Sequence, residues 1–340
     1  MKTQITLISI ASIIIILAGL KAASAIVVPF LLAIFIAVII SPAIIYLQKL
    51  KIPRVFAFII VVAVFFGTLG FFGSILFHTL QSFVNQLPEL QTKFDNLLKI
   101  IIAQTSNSKF IDIQSNMIDF DINLAINKAT AILKKTGSLI SMSFVVFLIV
   151  AFIVFESTII NNKIRYFSKH NRRMAIFFKN FISNLKRYLL IKTIASIVTG
   201  VLIGLAMWIL GVPYAPLWGM TAFLFNYIPT IGSILAIFPT LFVTLSTMDI
   251  SISIWVIFIY IFVNILIGNV IEPRFMGKEL GISTVVVLLS VMLWGFVFGI
   301  GGLFLAVPLT MSIQIALKSN PKTKSFAILL SNRVEDVNNK

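Results

Sequence analysis

Residues 212–247 read Val212-Pro-Tyr-Ala-Pro-Leu-Trp-Gly-Met-Thr-Ala-Phe-Leu-Phe-Asn-Tyr-Ile-Pro-Thr-Ile-Gly-Ser-Ile-Leu-Ala-Ile-Phe-Pro-Thr-Leu-Phe-Val-Thr-Leu-Ser-Thr. The run is too apolar for water, yet Asn226, Tyr227, Pro229 and Gly232 break it in the middle. As helix, the arm from Ala215 to Phe225 rises about 16 Å, roughly half of a bilayer core. A break at that depth frees backbone N–H and C=O groups that lipid cannot satisfy, so they must face protein or a wet cavity. This pattern predicts a re-entrant, discontinuous helix pair of the kind that builds midplane sites in transporters. The plainer alternative is two ordinary short helices around a buried turn.

Working outward, the whole chain has the same solvent. Of its 340 residues 59% are hydrophobic and 11% charged, and the mean hydropathy is +1.07. These values place it among integral membrane proteins. It has no cysteine, which excludes disulfides, thiolate metal sites and thiol nucleophiles, and two histidines, which exclude a His-rich metal site. The net charge of +16 is carried by loops beside apolar runs, where the positive-inside rule and anionic lipid account for it. Nucleic acid is therefore not an expected partner.

Predicted spans cover about 5–20, 26–48 and 55–77, with Lys49, Lys51 and Arg54 marking a cytoplasmic turn. The Ala23-Ser24-Ala25 motif resembles a signal-peptidase site, but the apolar runs that follow favour an uncleaved first span. Residues 81–137 change character. Phe83, Leu87, Leu90, Phe94, Leu97 and Ile101 form one helical stripe. Phe120, Ile122, Ile126, Ala129 and Leu133 form a second amphipathic stretch, and the charges are nearly balanced. This is expected to be an extracytoplasmic helical arm, or an amphipathic loop on the outer leaflet. A fourth span, 138–160, carries Glu156. Residues 161–192 then hold nine Lys or Arg and no acid, interleaved with aromatics, and predict a basic amphipathic linker on anionic lipid. A transport module follows at 193–317, then a cytoplasmic tail at 318–340. Residues 1–80 form the N-terminal module.

The break has an echo. Ile231-Gly-Ser-Ile-Leu-Ala-Ile-Phe-Pro239 and Ile300-Gly-Gly-Leu-Phe-Leu-Ala-Val-Pro308 share an Ile-Gly start and a proline seven residues after the Gly. Chance similarity in apolar sequence is the competing explanation. With the basic loops and both termini inside, the first run enters the membrane from outside and the second from inside. Inverted repeats produce such opposed hairpins. The expected fold is all-α and polytopic, with Asn226–Gly232 and Gly299–Gly302 facing each other across a substrate site.

Asn226, Tyr227, Pro229, Thr230, Gly232, Asn264, Asn269, Gly301 and Gly302 are the candidate binding residues. Asn and Tyr offer neutral donors and acceptors, and a half-helix N-terminus at Pro229–Gly232 offers free N–H groups. Glu272 and Glu156 are candidates for ion or proton coupling, since a carboxylate inside a membrane segment is a functional candidate by default. A structural pair of Glu272 with Arg274, or of Glu156 with Lys163 or Arg165, competes with that role.

Pro213-x-x-Pro216-Leu-Trp-Gly, Phe225-Asn-Tyr-Ile-Pro-Thr-Ile-Gly232, Asn269-x-x-Glu-Pro-Arg-Phe-Met-Gly277, Leu280-Gly-Ile-Ser and Gly301-Gly-Leu-Phe-Leu-Ala-Val-Pro308 together resemble the signature of the AI-2E family, the PerM-type permeases. Ser283-Thr284 departs from the His-Pro or Ser-Pro of many members. The resemblance implies a bacterial inner-membrane transporter. The named substrate, autoinducer-2, is a small polyhydroxylated furanone derivative used in quorum sensing. Other members resemble sodium or lithium/proton antiporters.

The expectation is therefore a gradient-driven exporter of a small polar solute working by alternating access, for no Gly-x-x-x-x-Gly-Lys-[Ser/Thr] segment is present. The alternatives are a sodium(lithium)/proton antiporter and a non-transporting scaffold. An enzyme is not expected, and no cofactor is. The stripe at 83–101 suggests a homo-oligomer.

Overall fold

The computed structural model describes residues 2–105, 136–170, 172–229, 231–276, 282–319 and 323–331, and these are helical almost throughout. In order they form α1 (Lys2–Ala22), α2 (Ser24–Lys49), α3 (Arg54–Thr105), α4 (Thr136–His170) and α5 (Arg172–Ile209). Next come α6 (Ala215–Phe225), α7 (Ile231–Thr247), α8 (Ile250–Asn264), a π-helical segment (Ile265–Ile271) and α9 (Glu272–Met276). The chain ends with α10 (Thr284–Ser319) and α11 (Lys324–Leu330). Among the described residues, five segments are long and apolar enough to cross a membrane: Ser24–Lys49, Arg54–Glu89, Phe178–Ile209, Ile250–Phe275 and Thr284–Ser319. The protein is an all-α polytopic membrane protein.

The first broken run is a hairpin. After α5 the chain turns at Gly211, and α6 runs back along α5 in close contact. Gly219 of α6 lies against Gly200 and Gly204 of α5, where any added Cβ would come within 3.4 Å of the facing helix. Small residues let two backbones approach this closely in lipid. The chain breaks after Phe225 and α7 returns beside α6. At Gly232 the return is so tight that a Cβ would stand 1.8 Å from the Phe225 carbonyl oxygen. The mouth of this hairpin is held to α3. Phe83 packs edge-on against Tyr214 and Trp218, and the Tyr214 hydroxyl donates to Gln86 Oε1.

The second broken run is also a hairpin. Gly299 has φ 63° and ψ −143°, outside the helical region. Beyond it the chain folds back: Trp294 Nε1 donates to Thr310 Oγ1 at 3.0 Å. Sixteen residues of straight helix would separate those groups by about 24 Å. At Gly302 an added Cβ would lie 1.8 Å from the Trp294 carbonyl oxygen. Gly302 is thus the structural counterpart of Gly232, one residue later than the Ile-Gly alignment in the sequence.

The two hairpins enter from opposite ends of α5. The first begins where α5 ends, after Ile209. The second begins after α9, which is tied to the earlier part of α5 by Lys192–Glu272 and by Arg187, whose guanidinium donates to the Phe275 carbonyl. Their tips meet. Ile228 packs in one cluster with Val291, Trp294, Val297, Phe298 and Ala306, and with Val28 of α2.

Elsewhere the structure refines the reading. α1 and α2 join through Ala23, with Ala23 N–H bonded to Gly19 O and Val27 N–H to Ala23 O, so the chain bends there and does not reverse. α3 continues unbroken from its membrane span to Thr105. Residues 106–135, including the second amphipathic stretch, lie outside the described residues. The basic residues of 161–192 belong to α4 as far as Lys169 and to α5 from Arg172 on, and Lys192 lies well inside the apolar span rather than in a surface linker.

Candidate transport site

The tip of the first hairpin is fixed to α5 by two side-chain bonds. Asn226 Nδ2 donates to Ser196 Oγ at 2.9 Å, and the Tyr227 hydroxyl donates to Thr193 Oγ1 at 3.0 Å. Ser196 and Thr193 lie inside the apolar span Phe178–Ile209, so the break is held at membrane depth, as its 11-residue arm requires. The Tyr227 ring also meets Phe304 of the second hairpin, with centroids 5.9 Å apart. Tyr227 therefore links this turn of α5 to the second hairpin.

The same turn carries a charge. Lys192 Nζ and Glu272 Oε1 are 2.7 Å apart, with side-chain exposures of 7% and 10%. Inside a membrane-spanning segment neither ion is tolerable alone, and together they bridge α5 to the end of the π-helical segment. Segments of π-helix are uncommon and concentrate at functional positions. This one lies directly between Asn264 and Glu272.

Beyond the tip, toward the first hairpin's mouth, lies a small cavity. It is lined by Thr199 and Ile203 of α5, Ala222 and Asn226 of the first arm, Ser233 and Ala236 of the return arm, and Tyr260, Val263 and Asn264 of α8. Its volume is about 10 Å³, room for about one water. The Thr199 hydroxyl is buried without a hydrogen-bond partner.

The sequence candidates thus divide. Asn226 and Asn264 line the cavity, and Tyr227 anchors the tip beside it. Pro229 is half-buried in the turn. Gly232 and Gly302 are filled by backbone and offer no room to a solute. Gly301 is occupied as well, since its added Cβ would lie 2.5 Å from Val28 Cγ1. Asn269 is exposed on the π-helical segment, and Glu156 is exposed on α4, apart from the cavity. Thr230 lies outside the described residues.

The tips do meet, as the echo implied, but their contact is apolar, with the cavity on the α5 and α8 side of the first hairpin. Glu272 pairs with Lys192, while Arg274 is exposed. The sequence reading missed Lys192, Thr199, Ser233 and Tyr260.

The comparisons with known proteins agree on one family. Residues 10–322 match the model of the AI-2E family transporters. The chain belongs to the AI-2E transporter family. It is 36% identical over 346 residues, 97% of each chain, to a Haemophilus influenzae protein named provisionally as a transport protein. It is 32% identical over 322 residues, 94% of this chain and 93% of the other, to the AI-2 transport protein TqsA of Escherichia coli. As an AI-2E family member with several spanning helices, it is a multi-pass membrane transport protein.

Proposed function

We propose that this AI-2E family protein exports a small, uncharged, hydroxyl-rich solute of the autoinducer-2 kind, its two hairpins opening in turn to opposite membrane faces. The observation that carries the reading is the meeting of the two hairpin tips, through the Ile228 cluster and the Tyr227–Phe304 ring contact. Discontinuous segments entering from opposite sides are the geometry from which alternating access is built. A similar protein carries AI-2 transport in its name, and the neutral Asn, Ser, Thr and Tyr groups at the first tip suit hydroxyl recognition. In this reading the protein is no enzyme. It resides in a bacterial inner membrane with its tail in the cytoplasm, meets anionic lipid through the basic residues that precede Lys192, and assembles as a homo-oligomer.

The test is autoinducer-2 efflux from cells producing wild type or Asn226→Ala at matched membrane abundance. Loss of the Asn226 anchor is expected to lower efflux about tenfold. Wild-type cells that release no more signal than cells lacking the protein would contradict the reading.

Sodium(lithium)/proton antiport is the second reading, favoured by the buried Lys192–Glu272 pair. It predicts that proteoliposomes show sodium-driven proton flux in wild type and none in Glu272→Gln. Solute export predicts no such flux in either.

A further inference from the structure

Most of the buried polar side chains among the described residues lie along one seam. Among the described residues, Lys192, Ser196, Thr199, Thr240, Thr244, Ser246, Ser253 and Glu272 belong to α5, α7, α8 and α9, leaving Ser290 and Thr310 on the second hairpin. The cross-helix bonds of these helices follow one another along their length. Lys192–Glu272 stands at the α9 end, followed by Tyr227–Thr193 and Asn226–Ser196. Beyond the cavity, Thr240 Oγ1 and the Tyr260 hydroxyl are 2.9 Å apart. Nearest the hairpin mouth, Ser253 Oγ donates to Thr244 Oγ1 at 3.0 Å. The other face of the first hairpin, where it meets the second, is sealed by Ile228, Trp294, Val297 and Phe298.

We infer that the solute crosses along this polar seam, between α5, the first hairpin and α8, and that the cavity at Thr199, Asn226, Ser233, Tyr260 and Asn264 is its binding station. The inference rests on the transport reading and deepens it. Hydroxyls in membrane helices commonly bond back to their own helix, as Thr247 and Ser246 do. Thr199 does not: its Oγ1 is buried and unpartnered at a residue 8% exposed. A buried hydroxyl left unmet is destabilising, and one that lines a cavity is answered when a ligand hydroxyl or water arrives. No charged side chain lines the cavity, so an ion entering it would lose hydration without a counter-charge. An uncharged molecule bearing hydroxyls exchanges water's hydrogen bonds for those of Asn, Ser, Thr and Tyr.

The cavity has room for about one water, so the station must widen to take a solute. The wall free to widen is Asn264, where α8 passes into the π-helical segment. There the wider helical register lets a turn shift without breaking the rod.

The chain contains no cysteine, so single-cysteine variants of the intact protein report local water directly. Methanethiosulfonates react with the thiolate, which forms only where water reaches. In membrane vesicles treated with 2-aminoethyl methanethiosulfonate, Thr199→Cys and Ser233→Cys are expected to react at least about tenfold faster than Val297→Cys between the hairpins. Added autoinducer-2 should slow the first two. Faster or equal reaction at Val297→Cys would move the route to the hairpin interface and overturn the inference.

Thr199→Val, which keeps the side chain's shape, should lower autoinducer-2 efflux about 3- to 10-fold at unchanged abundance. Unchanged efflux would remove the station. Failure of wild type to move autoinducer-2 would instead defeat the transport reading, while the cysteine order would still decide which face is wet.

Discussion

Lys192 and Glu272 are charges in membrane-spanning helices, and only their pairing at 2.7 Å offsets the loss of hydration. Removing one partner strands the other, so Lys192→Met should destabilise the purified protein by about 3–5 kcal/mol. The double change Lys192→Met with Glu272→Leu should recover most of that, because an apolar pair of similar volume needs no water. Thermal unfolding of the detergent-purified variants checks both. If the pair couples transport, the double variant is stable and inactive; if it is only a brace, the double variant transports normally.

The residue scale is also where the sequence was least transparent. Asn226 and Asn264 were legible because an amide in an apolar run has no cheap local partner. Thr199, Ser233 and Tyr260 were not, since hydroxyl residues pass through lipid-facing helices at little cost and only their neighbours set them apart. Lys192 closes a basic stretch, 161–192, that reads as a membrane-surface linker. Its position at the start of the apolar run leading to Ile209 was the available signal.

At the scale of the elements, two hairpins turn by different means. Gly232 and Gly302 are needed for space: in each, a methyl group would meet a backbone carbonyl at 1.8 Å. Gly299 is needed for conformation: nothing lies within 4 Å of its added Cβ, but φ 63° with ψ −143° belongs almost wholly to glycine. Gly232→Ala should therefore cost about 1–3 kcal/mol or more through overpacking, and Gly299→Ala about 1–3 kcal/mol through strain alone. Gly19→Ala, in an open helix position, should be neutral or slightly stabilising. Melting temperatures of the three variants give the order, and a Gly232→Ala protein as stable as Gly19→Ala would contradict the tight tip. The first hairpin was legible in sequence because Asn, Tyr and Pro interrupt it. The second was harder to read, because its break rests on glycines alone, with no Asn, Tyr or Pro at the turn.

For the whole molecule, the sequence supported a polytopic helical protein with two broken runs, and in the structure both runs are hairpins whose tips meet. It supported less well the N-terminal spans. Placing Lys2 on the same side as Lys49 required a reversal between residues 20 and 26. Lys21-Ala-Ala-Ser contains no glycine or proline to make one, and the chain only bends at Ala23. The arrangement on which the proposed transport depends is the entry of the two hairpins from opposite faces, with their tips meeting inside.

Asp249, exposed at the mouth of the first hairpin, and Lys318, exposed at the end of the second, report it most directly. With Asp249→Cys and Lys318→Cys made singly in the cysteine-free chain, an impermeant thiol reagent should label Asp249→Cys in intact cells. It should label Lys318→Cys only in inside-out vesicles. Labelling of both from the same face would contradict the opposed hairpins on which the account depends.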